Sequence, residues 1–227
     1  VYNAMAVNRL EPVYICPDIA GPSPFCNIAA RFDEAALDNM LAESSAFAVL
    51  ITSPTYYGVI RDIKSLAQIA HSHGALLLVD EAHGAHLPYL GNRASALSLG
   101  ADMSVCSLHK TLRALGGAAL LNASRGFNGD DIRDLLSVYG SSSPSYLVLV
   151  SADLARADAA SHRDALARTA LAAESIRKSI GAKTPFAPLG REHCANGTGY
   201  DPLRLTVNTA LGGLSGDEAA AILGKNG

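Results

Sequence analysis

The chain has 227 residues, enough for one large domain or for one domain and part of another, and its 49% apolar and 17% charged composition excludes a disordered segment. A net charge of -3 with no basic stripe excludes a phosphate-binding nucleic-acid surface, so a small molecule is the expected partner. No run approaches the roughly 18 apolar residues of a membrane helix, and the first residues lack a charged start and apolar middle, so no membrane contact and a cytoplasmic location are expected. Cys16, Cys26, Cys106 and Cys194 lie without CxxC or other ligand spacing, and reduced thiols are expected in place of a disulfide framework or a zinc site.

In chain order, Pro12 to Cys16 (PVYIC) reads as a short strand. Asp33 then caps a run, Glu34 to Glu43, in which Ala36, Leu37, Met40 and Leu41 share one helical face. Phe47 to Ile51 (FAVLI) is a continuous apolar strand ending in the loop Thr52-Ser53-Pro54-Thr55-Tyr56-Tyr57-Gly58. From Asp62 to His73 the apolar positions Ile63, Leu66, Ala67, Ile69 and Ala70 recur at helical spacing, with Gly74 as a stop. Ala75 to Val79 (ALLLV) is again strand, Ala94 to Leu99 a short helix, and Asp102 to Cys106 (DMSVC) and Ala118 to Leu121 two more strands. Strands apolar on both faces and separated by helices predict an α/β fold with a mainly parallel sheet and helices on both faces. Ligands of such sheets sit beyond the carboxyl ends of the strands. The loops after Ile51, Val79 and Cys106 all leave at that edge.

The remainder differs in character. An Ala-rich helical stretch from Ser145 to Ile180 carries Arg156, Arg163, Arg168 and Arg177 on an expected solvated face. A Gly/Pro-rich segment, Thr184 to Gly199, reads as a linker, followed by a strand at Asp201 to Val207 (DPLRLTV) and a helix at Ser215 to Leu223. The expected division is a large domain over 1–183 and part of a small C-terminal α+β domain over 184–227.

Two segments carry the chemistry: Asp80-Glu81-Ala82-His83 and Ser107-Leu108-His109-Lys110, each just after a predicted strand. Alone, Lys110 reads as a surface lysine and Asp80 as a strand-end carboxylate capping a turn. Together they offer what an aldehyde cofactor such as pyridoxal phosphate needs: an amine in Lys110, an anion for the ring nitrogen in Asp80, and phosphate donors in Ser107 and His109. Asp80 beside a pyridine nitrogen favours its protonated form, because an opposite charge stabilises the cation. Ala82 is small enough for a ring to lie against the backbone, and His83 is placed to contact ring, phenolic oxygen or substrate. Asp-Glu-Ala-His is also a helicase signature, but that reading requires a GxxxxGK[ST] loop, which this sequence lacks. Asp80, Glu81, His83 and His86 as metal ligands fit no zinc or iron spacing, so no metal is expected.

TSPTYYG (Thr52 to Gly58), LLLVDEAHGAH (Leu76 to His86), GADMSVCSLHKTLRAL (Gly100 to Leu115) and SSSPSY (Ser141 to Tyr146) together resemble the bacterial ornithine/lysine/arginine decarboxylases. These belong to the fold-type-I, aspartate-aminotransferase-like group of pyridoxal-phosphate enzymes. The likeness runs in order to about residue 160, with a looser echo in DPLRLTVN and GLSGDEAA.

The resemblance implies that Lys110 is the Schiff-base lysine, that Asp80 pairs with the pyridine nitrogen, and that Ser107 and His109 lie near the phosphate. It further implies that Ser53 and Thr55 approach the phenolic-oxygen side, and that Ser142, Pro144 and Ser145 line the active site or a dimer interface; a plain helix start at Pro144 is the other reading. The implied activity is decarboxylation of a basic amino acid to its amine, with Lys110 or His83 returning the proton, in a homodimer or higher homo-oligomer. The alternatives are another fold-type-I reaction, transamination or carbon-carbon cleavage, or a non-catalytic domain that keeps the fold. A transaminase would grip the substrate carboxylate with an arginine, for which Arg204 is the placed candidate; a decarboxylase gains nothing from tight ground-state binding there, and Arg204 is left out of the expected site. Gly116 and Gly117 stand where the family commonly has Thr-Gln, and the family's phosphate loop and ring-stacking histidine are expected upstream of Val1, so the sequence reads as a fragment.

Overall fold

The computed structural model describes residues 2–16, 24–25, 28, 32–91, 94–140, 143–194 and 198–226. Helix α1 spans Tyr2–Val7. Residues 12–16 form no strand, against expectation, and Val13 and Tyr14 stand 62% and 64% exposed. A strand persists only where a neighbour takes up its backbone hydrogen bonds, and no sheet edge reaches this segment. Helix α2 (Glu34–Glu43) starts as the sequence predicts, with Asp33 accepting from the Ala36 amide at 3.0 Å. Strands β1 (Ala48–Thr52) and β2 (Val59–Ile60) precede α3 (Ile63–Ser72), whose Asp62 cap accepts from the Ser65 amide at 3.1 Å. Beyond α3, Gly74 takes φ +72°, a left-handed turn that favours glycine.

Strand β3 (Leu76–Asp80) is followed by single 3-10 turns at Leu87–Tyr89 and Leu97–Leu99, the second lying where a short helix is predicted. Strand β4 (Met103–Ser107) runs directly into the four-residue helix α4 (Leu108–Thr111), so Lys110 sits on a helical turn and not in a loop. Strand β5 (Ala119–Ala123) and α5 (Gly129–Tyr139) follow; Asn128 caps α5 by accepting from the Asp130 amide.

The main sheet has the order β1-β3-β4-β5, parallel across β1, β3 and β4, with β5 antiparallel at the edge. The β4-β5 connection is too short for the crossover a parallel partner requires, so the chain turns back. The register pairs Thr52 with Asp80, Asp80 with Val105 and Ser107 with Ala119, which brings the ends of β1, β3 and β4 to one edge. Leu77 and Val79 bury one face against Leu37, Leu41, Ile63, Leu66 and Ala70 of α2 and α3. Each such side chain contributes about 1.5–3 kcal/mol by leaving water. On the opposite face Leu50, Val105 and Leu121 remain 41–47% exposed.

Helices α6 (Tyr146–Ser161) and α7 (Arg163–Lys183) fill the Ala-rich stretch. Arg177 corrects the expectation of a solvated arginine face: it is buried, with Nη1 donating to Glu174 at 2.6 Å and the guanidinium over the Tyr200 ring. After α7 come β6 (Ala187–Pro188), β7 (Gly199–Tyr200), β8 (Val207–Asn208) and α8 (Gly216–Asn226). Strand β7 pairs with β2 and β6 with β8, both antiparallel. Leu189, inside the predicted linker, is buried with Phe25 and Val59. The predicted strand over 201–207 is instead a turn that becomes strand only at Val207, because the Asp201 carboxylate accepts from the Leu203 amide at 2.9 Å and folds the chain back.

Candidate active site

Three consecutive facts of local folding build the site. Strand β3 ends at Asp80, the chain turns over residues 82–86, and β4 ends at Ser107 and delivers Lys110 on the first turn of α4. The Asp80 carboxylate accepts from the Ala82 amide at 2.9 Å on Oδ1, which fixes the side chain at the strand end. Glu81 points away from it and is buried, where its Oε1 accepts from the Ala96 amide. Burial pushes the Glu81 carboxyl above the ordinary range, against hydrogen bonds from Ser104 and the Ala96 amide that lower it.

His83 is the place where these groups meet. Its pKa is lowered by burial first and then by the positive charges of Lys110 and Arg204, while Asp80 pulls it back up. Charge from the amine and from the carboxylate thus both reach the imidazole, which puts Asp80, His83 and Lys110 in one neighbourhood. Lys110 is exposed and His109 is anchored, with Nδ1 3.0 Å from the Ala118 carbonyl oxygen. Ser107 makes no capping hydrogen bond to α4, which leaves its hydroxyl available at the strand end.

The loop after β1 is knotted to itself. Ser53 Oγ accepts from the Arg61 amide at 3.0 Å and is buried, and Thr55 Oγ1 accepts from the Val59 amide at 3.1 Å. The Ser53 amide donates to the Asp80 carbonyl, so this loop is hung on the end of β3. Both hydroxyls thus hold the loop that carries Tyr56, whose ring meets His83 edge to face with 5.4 Å between centroids.

Arg204, left out of the expected site, belongs here, together with His86, weighed only as a metal ligand, and Asp201. Arg204 lies with Nη2 3.5 Å from His83 Nδ1 and its guanidinium 5.4 Å from the Tyr56 ring centroid. His86 and Asp201, both 97–98% buried, meet at 3.0 Å between Nε2 and Oδ1 and tie the 82–86 turn to the turn that carries Arg204. The pair is 115 positions apart, so no local spacing betrays it. Among the described residues no group of three His, Cys, Asp or Glu is gathered to hold a metal ion. Ser142 and Cys26 lie outside the described residues, and Pro144 and Ser145 precede α6 on the surface.

The family model for the Orn/Lys/Arg decarboxylase major domain matches residues 1–209. The chain belongs to the ornithine/lysine/arginine decarboxylase family. It is 31% identical over 225 residues to an arginine decarboxylase of Bacillus cereus, an overlap of 96% of this chain and 48% of that protein. It spans less than half the length of the arginine decarboxylases it matches, 45–48%. Among solved structures it superposes on the SepCysS–SepCysE N-terminal domain complex with TM-score 0.61 and 14% identity, over 83% of this chain and 51% of that one. The lysine decarboxylase LdcF of Francisella novicida gives TM-score 0.59 and 14% identity, over 76% of this chain and 30% of that one. At such identity these likenesses establish the fold alone, that of the fold-type-I pyridoxal-phosphate enzymes.

Proposed function

We propose that this chain carries part of a pyridoxal-phosphate-dependent decarboxylase that converts ornithine, lysine or arginine to the corresponding amine and carbon dioxide. The supporting observation is the convergence of Asp80, His83 and Lys110 at one strand edge in a chain of the ornithine/lysine/arginine decarboxylase family. The donor set fits the cofactor: Asp80 has one carboxylate oxygen engaged by the Ala82 amide, and among the described residues no other donor reaches that side chain. Lys110 would hold the aldehyde carbon, Asp80 the ring nitrogen, Ser107 and His109 the phosphate, and Ala82 the ring face; Ser53 and Thr55 would act by shaping the loop beside it.

When bound, the cofactor supplies an electron sink for the bond that breaks. Asp80 would favour a proton on the ring nitrogen of the cofactor, since a nearby anion favours the cationic form. Lys110 Nζ, exposed on α4, would return a proton to the carbon that loses carbon dioxide, while the lowered pKa of His83 disfavours it as the donor. The substrate's carboxylate need not be gripped in the ground state, because only contacts that strengthen in the transition state speed the step.

We further propose a second copy of the whole protein as partner and the cytoplasm as its location. The exposed Tyr146, Leu147 and Val150 at the start of α6 support an interface there, and no described helix is long and apolar enough to cross a membrane. The test uses the full-length protein mixed with cofactor and assayed for amine release from each of the three amino acids. Lys110→Ala is expected to abolish the protein-bound absorbance band and lower amine release at least about a hundredfold. A band that persists in Lys110→Ala overturns the site, and a Lys110-dependent band with no amine from any of the three overturns the reaction.

A further inference from the structure

His83 is faced by Asp80 from the end of β3, Lys110 from α4, Tyr56 from the 53–58 loop and Arg204 from the turn after β7. Of these, Arg204 is the one whose contact to a ring nitrogen is set, Nη2 to Nδ1 at 3.5 Å. A guanidinium carries only N–H donors, stays protonated and cannot accept. A lone pair on the nitrogen it faces is therefore the favoured arrangement, which favours the ring proton on the other nitrogen.

Arg204 is itself built into place. Gly58, at φ +90°, packs against its stem so closely that an added Cβ would lie 2.8 Å from Arg204 Cβ and Cγ. The Tyr56 ring lies under the guanidinium, and the Arg204 amide donates to the Asp201 carbonyl at 3.1 Å. Asp201 is locked in turn by His86 at 3.0 Å and by its own amide donating to the Gly58 carbonyl at 2.7 Å.

We propose that Arg204 is a positioning residue that holds His83 as the neutral imidazole with its proton on Nε2. The proposal rests on reading Asp80, His83 and Lys110 as an active site, and it deepens that reading. Burial and the charges of Lys110 and Arg204 already oppose protonation of His83 against Asp80; the Arg204 contact decides which nitrogen keeps the single proton. His83 then gives the site an N–H donor without adding a cation beside Lys110.

The experiment is a nitrogen-15 spectrum of histidine-labelled full-length protein without cofactor, recorded across pH, with His83 identified by the signal lost in His83→Gln. Wild type is expected to show the Nε2–H tautomer and a midpoint below that of ordinary histidine. Arg204→Met is expected to mix the two tautomers and shift the midpoint up. Arg204→Lys, which restores the charge without the fixed fork, is expected to keep the low midpoint and lose the tautomer preference. Gly58→Ala, which displaces the Arg204 stem, is expected to behave as Arg204→Met. A wild-type proton on Nδ1, or a tautomer population that Arg204→Met leaves unchanged in a folded protein, overturns the proposal. If Arg204→Met does not fold, the wild-type and Arg204→Lys spectra decide. Because no cofactor is present, this result is independent of the Lys110-dependent band: either can fail while the other stands.

Discussion

At the scale of single residues, the buried contacts of this site separate those that hold it from those that face it. His86 and Asp201 hold it: each is almost wholly removed from water, and each is the other's side-chain partner. Truncating the imidazole leaves a buried carboxylate short of a donor, which costs more than the bond itself contributes. His86→Ala is expected to lower stability by about 2–3 kcal/mol, read as a fall in urea midpoint; an unchanged midpoint would show that Asp201 finds another donor. Asp80 and Lys110 are legible in sequence because each belongs to a distinctive tetrapeptide at or just beyond a strand end. Arg204, His86 and Asp201 are not, because their roles arise from contacts 115 and 121 positions apart along the chain.

At the scale of elements, caps and apolar spacing decide the local structure where they agree. Helix α3 has both: Asp62 satisfies a free amide at its start, and Ile63, Leu66, Ala67 and Ala70 form one buried stripe. The stripe matters more than the cap. Asp62→Ala is expected to cost about 1 kcal/mol and Leu66→Ala about 2–5 kcal/mol, both measured by urea unfolding; equal costs would mean that the α3 face is poorly packed. Helix α5 lies outside the predicted elements although Asn128, an acidic first turn and Ile132, Leu135, Leu136 and Tyr139 at helical spacing mark it; in the structure none of these apolar positions is buried. The segments at 12–16 and 201–207 fail as strands for opposite reasons. The first lacks a neighbouring strand, and the second is bent by the Asp201 carboxylate.

At the scale of the whole molecule, Glu81 contributes to how stability follows pH. It lines a cavity of about 210 Å³ with Ser104, Cys106 and Asn122, on the face of the sheet away from Asp80. Because burial raises its folded pKa above the unfolded value, its contribution is fully present below the unfolded pKa and is lost as pH rises through the folded one. Stability of wild type is therefore expected to decline across that window more steeply than stability of Glu81→Gln, with unfolding free energy measured at a series of pH values. Parallel slopes for the two proteins would mean that Glu81 titrates as it does in water. Cys106 lies on the same cavity, and its thiol is pushed up by burial and by the Glu81 charge, which keeps it protonated and inert.

The sequence by itself determined the alternation of strand and helix and the strand ends at which the Asp80 and Lys110 segments lie. Those features are local: strand ends, caps and short motifs are written within a few residues. Only the tertiary structure decided that β5 runs antiparallel, that Arg177 is buried, and that Arg204 is brought against His83 by a buried histidine-aspartate tie. Long-range packing produced each of these, because the energy of a buried polar contact depends on which distant group arrives to satisfy it.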